Sequence, residues 1–493
     1  MKKLEEFTTE AAQATGPRVS ELVKIRPGGV DPLGLRQINF NLMDQLLPQL
    51  NNVARHIRPL TVVAWGWHCA WGCAERLGMQ TVPETKLRDL VDRIEVIFVW
   101  SQLITHAKVD LPGNEYLKTR MPSGRFKFGG DQWTRIQEDR RYSTSLSTPA
   151  NYGPSLFNLC FLRSGPRRNE VRVHPMATYA IEAFESLLGN DCQHPAFTQF
   201  GAVTVKYEEL ERWGKLWDMN RITKAERTHI SSVLGGKEAP LKRQAGIRLL
   251  TSTIRRLGDK DEPALRKGMC EIDAVGHDPI LREAAVTWRG IQARQLFRLA
   301  LESMLFWATR EVGDGTRTLG QLTNAFLDFT PKAATASVWL LPRLDPDTVD
   351  VVGPLVQLEE ALRGRITTSK LPAAIHAALR TALACRATDS GEREDRLPLV
   401  RAEREARSFA KRTPAELLQF ILSAWIFGQH VCWSVGRGIA DARQGPDRIL
   451  RLKIVPDDSG WRLVPGSSTS APRPTPDRLN TAVTLLKEST GRR

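Results

Sequence analysis

The segment 86–105 places apolar residues at helical spacing. Leu87, Leu90, Ile94 and Ile97 recur at every third or fourth position, and charged and polar residues fill many of the positions between them. A period of about 3.6 residues predicts an amphipathic helix with one buried face.

Two further helices are predicted earlier in the chain. One covers 36–54 and is punctuated by Pro48, and the next is a tryptophan-rich segment that begins at Pro59, because proline is tolerated in the first turn of a helix. Glycine and proline then recur across 111–131, and a second irregular stretch covers 143–155. Both stretches are predicted to be loops.

The middle third of the chain is predicted to be almost entirely helical. Its longest helix, 282–312, begins with one apolar face through Trp288 and Leu296 and becomes apolar on nearly all sides between Leu299 and Trp307. Its second half is therefore predicted to be buried. No repeat of fixed period is present, which argues against a solenoid. Breaks between helices are predicted at 235–236, 258–263, 313–315 and 342–346.

The last hundred residues combine helical and strand patterns. Residues 406–435 are predicted to be helical, whereas Leu450, Leu452 and Ile454 alternate with basic residues at the period of a strand. Turn-forming residues follow at once, and 461–464 can return as a second strand, so a hairpin is predicted.

A terminal helix is predicted after the Ser/Pro-rich connector 466–476. Thr475 is the expected N-cap and Pro476 the first helical residue, with Leu479 and Val483 on the buried face.

These elements predict a mainly α, multidomain protein with a loop-rich N-terminal region and a small β-hairpin near the C-terminus, hence α+β overall. A chain of 493 residues is too long for one core. Three domains are predicted: an N-terminal helical and loop-rich domain over 1–190, a central helical domain over 191–390, and a C-terminal α+β domain over 391–493.

Charge changes this picture. The chain has 70 basic and 55 acidic residues, a net charge of +15, and 51 of the basic residues are arginines. Arginine suits phosphate recognition because its guanidinium is a rigid fork that is always charged. A GC-rich genome produces the same excess without any binding role, so the position of the charges has to decide.

The cysteines and the two longest apolar segments indicate the cellular compartment in which the protein is expected. The seven cysteines are scattered and odd in number, which predicts a reducing compartment rather than a disulfide framework. No secretory signal is expected at the N-terminus. The runs 60–74 and 417–435 are too short or too polar to span a bilayer and are predicted to be buried helices. We therefore expect a cytoplasmic protein with no membrane partner.

Catalytic patterns are weak. His106 and Lys108 match a His-x-Lys pair, but the aspartate and the second copy that phospholipase-D-type nucleases need are missing, and no Walker-type phosphate loop is present. Asp110, Glu115 and Lys118 loosely match a Mg²⁺-dependent nuclease core. No catalytic residue, metal ligand or cofactor is predicted from these patterns.

Two thiols one helical turn apart, Cys69 and Cys73, lie beside His68. They could share a zinc ion, but no second pair of ligands has zinc-site spacing. Packing among the neighbouring tryptophans is the favoured interpretation.

Two basic segments are the candidate nucleic-acid-binding residues. The first, 242–256, has no acidic residue, and on a helix its apolar stripe of Ile247, Leu250, Ile254 and Leu257 would face away from Arg248 and Arg255. A solvated basic face is the alternative. The second is a loop around Gly165. The predicted phosphate-contacting residues are Arg163, Arg167, Arg168, Arg172, Lys242, Arg243, Arg248, Arg255 and Arg256.

The stretch from Leu46-Leu47-Pro48-Gln49-Leu50 through Arg55-His56-Ile57-Arg58 to Trp65 resembles an N-terminal pattern of bacterial proteins of anti-phage defence islands. Gln49 stands where that pattern favours glycine, and 143–155 resembles a second shared element. Together they cover about a fifth of the chain and carry no chemistry to particular residues. Arg55 and Arg58 can hold a phosphate or, in the favoured interpretation, a buried carboxylate such as Asp44 or Glu75.

The resemblance and the charge together lead to one functional hypothesis. It is a non-catalytic nucleic-acid-binding or scaffolding subunit of a bacterial anti-phage defence complex, with DNA and other subunits of that system as partners. The alternatives are a divergent metal-dependent nuclease of such a system, or a protein-interaction adaptor whose arginines are compositional.

Overall fold

A computed structural model of the protein describes most of the chain. The described residues are 24–25, 31–140, 144–167, 169–258, 260–341, 345, 347–364, 370–385, 396–442, 449–450, 452–465, 467 and 470–491.

Helices are the main elements. In chain order they are α1 (Arg36–Met43), α2 (Ile57–Arg76), α3 (Glu84–Thr105), α4 (Asn114–Lys118), α5 (Asp131–Arg140), α6 (Gly153–Asn158), α7 (Thr178–Leu188), α8 (Pro195–Thr198), α9 (Tyr207–Leu216), α10 (Lys224–Leu234), α11 (Leu241–Leu257), α12 (Glu262–Met269), α13 (Pro279–Val312), α14 (Leu319–Leu327), α15 (Ala336–Leu340), α16 (Val352–Leu362), α17 (Leu371–Ala384), α18 (Leu399–Ser408), α19 (Pro414–Phe420), α20 (Gln429–Ala442) and α21 (Leu479–Thr490). A π-helical segment, Ile421–Gly428, joins α19 to α20.

Strands are short. They are β1 (Lys24–Ile25), β2 (Arg125–Phe128), β3 (Leu162–Ser164), β4 (Val171–Val173), β5 (Val203–Lys206), β6 (Thr316–Arg317), β7 (Ile449–Leu450), β8 (Ile454–Asp457) and β9 (Gly460–Leu463). The pairs β2–β5 and β3–β4 are antiparallel, as is the three-stranded sheet of order β6-β9-β8, whereas β1 pairs with β7 in parallel. With 63% of the residues helical, the predicted fold class is confirmed.

The chain forms two compact units. One consists of the described parts of Met1–Gln37, Arg294–Val349 and Gly353–Pro474, and the other of the described parts of Ile38–Ala293, Asp350–Val352 and Thr475–Arg493. The boundaries of these units are not those of the predicted domains, and the three-domain division stays a prediction. Both predicted binding segments lie in the second unit.

The longest predicted helix is confirmed as α13, which has 34 residues. Leu299, Met304 and Ala308 are buried, as the apolar pattern of its second half predicts. Arg298 and Glu302 are also buried in this half and form an ion pair with 2.6 Å between Nη1 and Oε2. Two charged residues are therefore buried in this half of the helix as well, because each has a partner of opposite charge one turn away.

The loop prediction for 111–131 is wrong in part. The segment contains α4 and the strand β2, whose Phe126 and Phe128 are buried and pair with Val205 and Val203 of β5. The two phenylalanines alternate with basic residues at a period of two, which is the strand signal that the surrounding glycines obscured.

The C-terminal hairpin is confirmed, with a different register. Its strands β8 and β9 are joined at Asp458–Ser459, so Pro456 and Asp457 belong to a strand rather than to the turn. The predicted helix 406–435 is interrupted, because Thr413 accepts a hydrogen bond from Glu416 N–H and caps a new helix, α19.

The terminal helix begins at Leu479 rather than at Pro476. Asp477 replaces Thr475 as the side chain that accepts a hydrogen bond from the first helical residue, at 3.3 Å. Among the described residues, no helix combines the length and the apolar character that a bilayer crossing requires.

Candidate nucleic-acid interface

The basic segment 242–256 forms the helix α11, as its apolar spacing predicts. Ile247 and Leu250 are buried, whereas Arg248 and Arg255 are exposed. The helix ends before Gly258, whose φ of 78° is a conformation that glycine adopts without strain. Because the two arginines are seven residues apart, they lie two turns apart, about 10 Å along one side of the helix.

Arg248 and Arg255 line a common cleft of about 330 Å³. Guanidinium and hydroxyl groups are donors that suit phosphate oxygens. The cleft therefore offers donors for an anionic ligand on the exposed side of α11. Its lining consists of two arginines, two residues with hydroxyls, one glycine and two aliphatic residues: Arg248, Arg255, Thr251, Ser252, Gly235, Ile247 and Leu281.

Asp278 occupies part of the hydrogen-bonding capacity of Arg248. The Arg248 Nη2 atom lies 2.8 Å from Asp278 Oδ2, and both side chains are partly exposed. The other oxygen, Asp278 Oδ1, accepts hydrogen bonds from the N–H groups of Ile280 and Leu281 and so caps α13. An exposed pair of this kind contributes about 1 kcal/mol at most, so a phosphate can displace Asp278.

The other predicted residues of α11 differ in how many of their donor groups are free to contact a phosphate. Arg255 is exposed and has no acidic side chain within 4 Å in the part of the chain that the structure describes. Arg256 lies 2.5 Å from Glu271 Oε2 and also donates to a backbone carbonyl of α12, and Lys242 donates to Gln45 Oε1. Arg255 is the most available cation of this helix.

Arg243 does not fit the predicted role of a phosphate contact. Its side chain is 1% exposed, and it donates to the carbonyl groups of Val233, Leu234 and Pro48 and to Gln49 Oε1 at distances of 2.6–3.3 Å. Burial lowers the pKa of Arg243 to about 10, so the side chain remains charged at neutral pH. It acts instead as a cap on the carboxyl end of α10, where carbonyl groups and the helix dipole favour a cation.

The contacts of Arg243 also involve Gln49. This residue has a φ of 65°, a left-handed conformation that glycine adopts most easily. Its carbonyl accepts a hydrogen bond of 3.1 Å from Asn158 Nδ2, and its side chain accepts one from Arg243. These bonds hold a non-glycine residue in a left-handed conformation.

The second predicted segment forms the hairpin β3–β4. Arg163 and Arg172 pair directly across it, so their side chains lie on one face. The guanidinium carbon of Arg172 lies 3.3 Å from the ring centroid of Trp71, whose indole N–H donates to the Val171 carbonyl. Arg172 also lies 2.6 Å from Glu170 Oε1, and this contact lowers the pKa of Glu170. The charge of Arg172 is therefore offset.

Two arginines of this hairpin remain available. Arg163 and Arg167 are exposed, and neither guanidinium forms an ion pair within 4 Å among the described residues. Glu170 is nevertheless close to Arg167, because its Oε2 atom accepts a hydrogen bond of 3.3 Å from the Arg167 backbone N–H. Arg168 lies outside the described residues.

No protein-family model, curated protein or solved structure matches this chain. The proposed function therefore rests on the geometry of the side chains in this chain.

The arginines of the N-terminal pattern form ion pairs, with partners other than those expected. Arg58 and Glu226 are both fully buried, with 3.2 Å between Nη2 and Oε2. Arg55 lies 3.1 Å from Asp110 Oδ2, and Asp110 also lies 3.6 Å from His56 Nε2. Arg58 therefore pairs with a buried carboxylate, as the structural interpretation predicts, whereas the partner of Arg55 is exposed. Asp44 and Glu75 are not the carboxylates involved.

The contacts of Asp110 are also relevant to the alternative prediction of a metal-dependent nuclease core. Asp110, the first of its three predicted residues, faces a guanidinium and an imidazole rather than another carboxylate. Within the described residues, no group of three or more His, Cys, Asp or Glu side chains is arranged to hold a metal ion. Cys73 is buried and Cys69 half-buried in α2, and both thiols are free.

One buried carboxylate was missed by sequence reasoning. Glu95, fully buried on α3, accepts hydrogen bonds from Ser145 Oγ at 2.7 Å and from Leu146 N–H at 2.9 Å. It thereby anchors the segment that contains Ser145 and Leu146. Burial and the neighbouring charge of Glu95 raise the pKa of Asp92 to about 7. Hydrogen bonds thus satisfy the buried Glu95 carboxylate within the fold.

Proposed function

We propose that this protein is a non-catalytic, nucleic-acid-binding or scaffolding subunit of a bacterial anti-phage defence complex, and that it holds the phosphate backbone of DNA at the cleft of α11. The observation that carries the proposal is that Arg248 and Arg255 line one cleft together with two hydroxyl groups. The defence context rests on the resemblance of the N-terminal segments alone.

Charge supports the proposal as well. The chain carries +15 overall, and in the unit that contains α11 the exposed arginines Arg163 and Arg255 lack acidic partners among the described residues. Uncompensated cations attract a polyanion over a Debye length of about 10 Å and release its condensed counterions on contact. Helices that pair their charges internally, as Arg407 does with Glu403, give no such attraction.

Removing both cleft arginines should weaken DNA binding at every sequence alike. In a salt series of fluorescence-anisotropy titrations with duplex DNA, we expect Arg248→Ala/Arg255→Ala to flatten the slope of log affinity against log salt. Each lost phosphate contact accounts for about 0.9, so the expected change is up to about 1.8. If the subunit acts in phage defence, the same variant should also reduce the protection that the complete system gives in plaque assays.

The matched control is Arg363→Ala/Arg407→Ala, which removes two exposed arginines, each paired with a glutamate four residues earlier. It lowers the net charge equally and should leave the slope within about 0.3 of the wild-type value. An equal change of slope in both double variants would show that the effect comes from net charge alone and not from contacts in the cleft. Absence of wild-type binding at low salt would refute the DNA-binding proposal.

Releasing Arg248 from Asp278 should strengthen binding. Asp278→Asn keeps an oxygen that can cap α13 but removes the charge that competes with phosphate, so we expect up to about fivefold tighter binding of duplex DNA. Asp273→Asn is the matched control, because Asp273 is exposed nearby and has no contact with Arg248. The gain should disappear in Arg248→Ala/Asp278→Asn, and a gain that persists there would show that Asp278 does not act through Arg248.

A further inference from the structure

The hairpin β3–β4 carries a combination of groups that the cleft of α11 lacks. On one face lie Arg163, Arg172 and His174, because residues directly opposite one another or two apart along a strand share a face. Arg163 contributes to the lowered pKa of His174, whose largest cause is burial. His174 is therefore neutral at physiological pH. Among the described residues of the hairpin, Arg163 has no acidic partner, and the Arg167 guanidinium is exposed and forms no ion pair within 4 Å, although Glu170 accepts a hydrogen bond from the Arg167 backbone N–H.

An exposed aromatic side chain follows the hairpin. Tyr179 is 71% exposed, and it has no ring partner and no side-chain hydrogen bond in the described part of the chain. It lies in the first turn of α7, whose opposite face buries Ala180, Ile181 and Phe184. Because the turn Pro175–Ala177 is a 3₁₀ helix, Tyr179 follows His174 within about 10 Å along the chain.

We propose that this surface, Arg163, Arg167 and Tyr179, binds single-stranded nucleic acid, with phosphates at the two arginines and an unpaired base stacked on the Tyr179 ring. The inference rests on the proposed nucleic-acid-binding function and names the strand form that one of its surfaces takes. Single-strand-binding proteins combine cations that follow the backbone with exposed aromatic rings on which bases stack.

A duplex does not use this surface in full. Paired bases already stack on their neighbours, so only an unpaired base presents a free face to the Tyr179 ring. The arginines contact phosphates of either form. Tyr179 is therefore the residue that distinguishes the two forms, and Arg163 and Arg167 are not.

The test compares single-stranded and duplex DNA of equal length and sequence in anisotropy titrations of the full chain. For Tyr179→Ala we expect roughly tenfold weaker binding of the single strand, as loss of one stacked base predicts. Duplex binding should change less than twofold, and Tyr179→Phe, which keeps the ring, should match the wild type. Leu77→Ala, at another exposed apolar side chain of the same unit, should change neither affinity.

The outcomes separate this inference from the proposed function. Equal weakening of both forms by Tyr179→Ala, or no weakening of either, would overturn the stacking role of Tyr179. Wild-type binding to duplex DNA alone would overturn it too, and would leave the proposed function standing. If the wild type bound neither form at low salt, the proposed function would itself fail.

Discussion

Replacement of Arg58 by methionine should lower the free energy of unfolding by about 3–5 kcal/mol, because it leaves a buried carboxylate without its partner. Arg58 and Glu226 are 0% exposed and 3.2 Å apart. Arg58 also donates to the Arg221 carbonyl and lies 5.1 Å from the centroid of the Phe184 ring. Urea unfolding followed by tryptophan fluorescence measures the loss.

A second substitution tests whether the loss comes from the unpaired charge. Glu226→Gln keeps an oxygen for the Thr223 N–H group that Glu226 now caps and removes the charge. Arg58→Met/Glu226→Gln should therefore recover at least half of the stability that Arg58→Met loses. Arg212→Met, at an exposed arginine paired with Asp191, should cost less than about 1 kcal/mol. A loss at Arg58 no larger than the loss at Arg212 would contradict the prediction.

Replacement of Arg243 by leucine should cost about 3 kcal/mol or more. The change keeps apolar bulk but leaves the buried carbonyl groups of Val233, Leu234 and Pro48 without their donor, and each such group costs about 1–3 kcal/mol. Arg255→Leu is the control on the same helix. Because Arg255 is exposed, it should change stability by no more than about 0.5 kcal/mol.

The measurement for Arg243 is again urea unfolding, combined with duplex-DNA binding of the folded variant at low salt. Equal stability of Arg243→Leu and Arg255→Leu would mean that the buried contacts contribute nothing. The binding measurement separates the roles, because Arg255→Leu should weaken binding without unfolding the protein.

Helical periodicity predicts both the exposed face of α11 and the burial of Arg243. Arg243 precedes Ile247 by four residues and Leu250 by seven, so it belongs to the buried stripe by spacing. Its charge alone places it with Arg248 and Arg255, and charge does not reveal on which face of a helix a residue lies. A charged residue at a buried helical position indicates a cap or an ion pair.

Residues distant in sequence account for what could not be predicted. Asp278 and Leu281 reach the cleft of α11 only through tertiary packing, from a helix that begins more than twenty residues later. Likewise Glu226 lies more than 160 positions from Arg58, and no local pattern connects the two. The strand β2 is different, since the alternation of Phe126 and Phe128 was visible in the sequence.

The Arg248–Asp278 pair gives one cation of the cleft an intramolecular counterion. A phosphate that takes the place of Asp278 has to break this pair first, so contact at Arg248 gains less free energy than contact at Arg255 does. Rising salt weakens the pair and the phosphate contact together. Arg255 therefore contributes the larger share of the affinity, although a phosphate contact at either arginine releases condensed counterions and contributes to the salt slope.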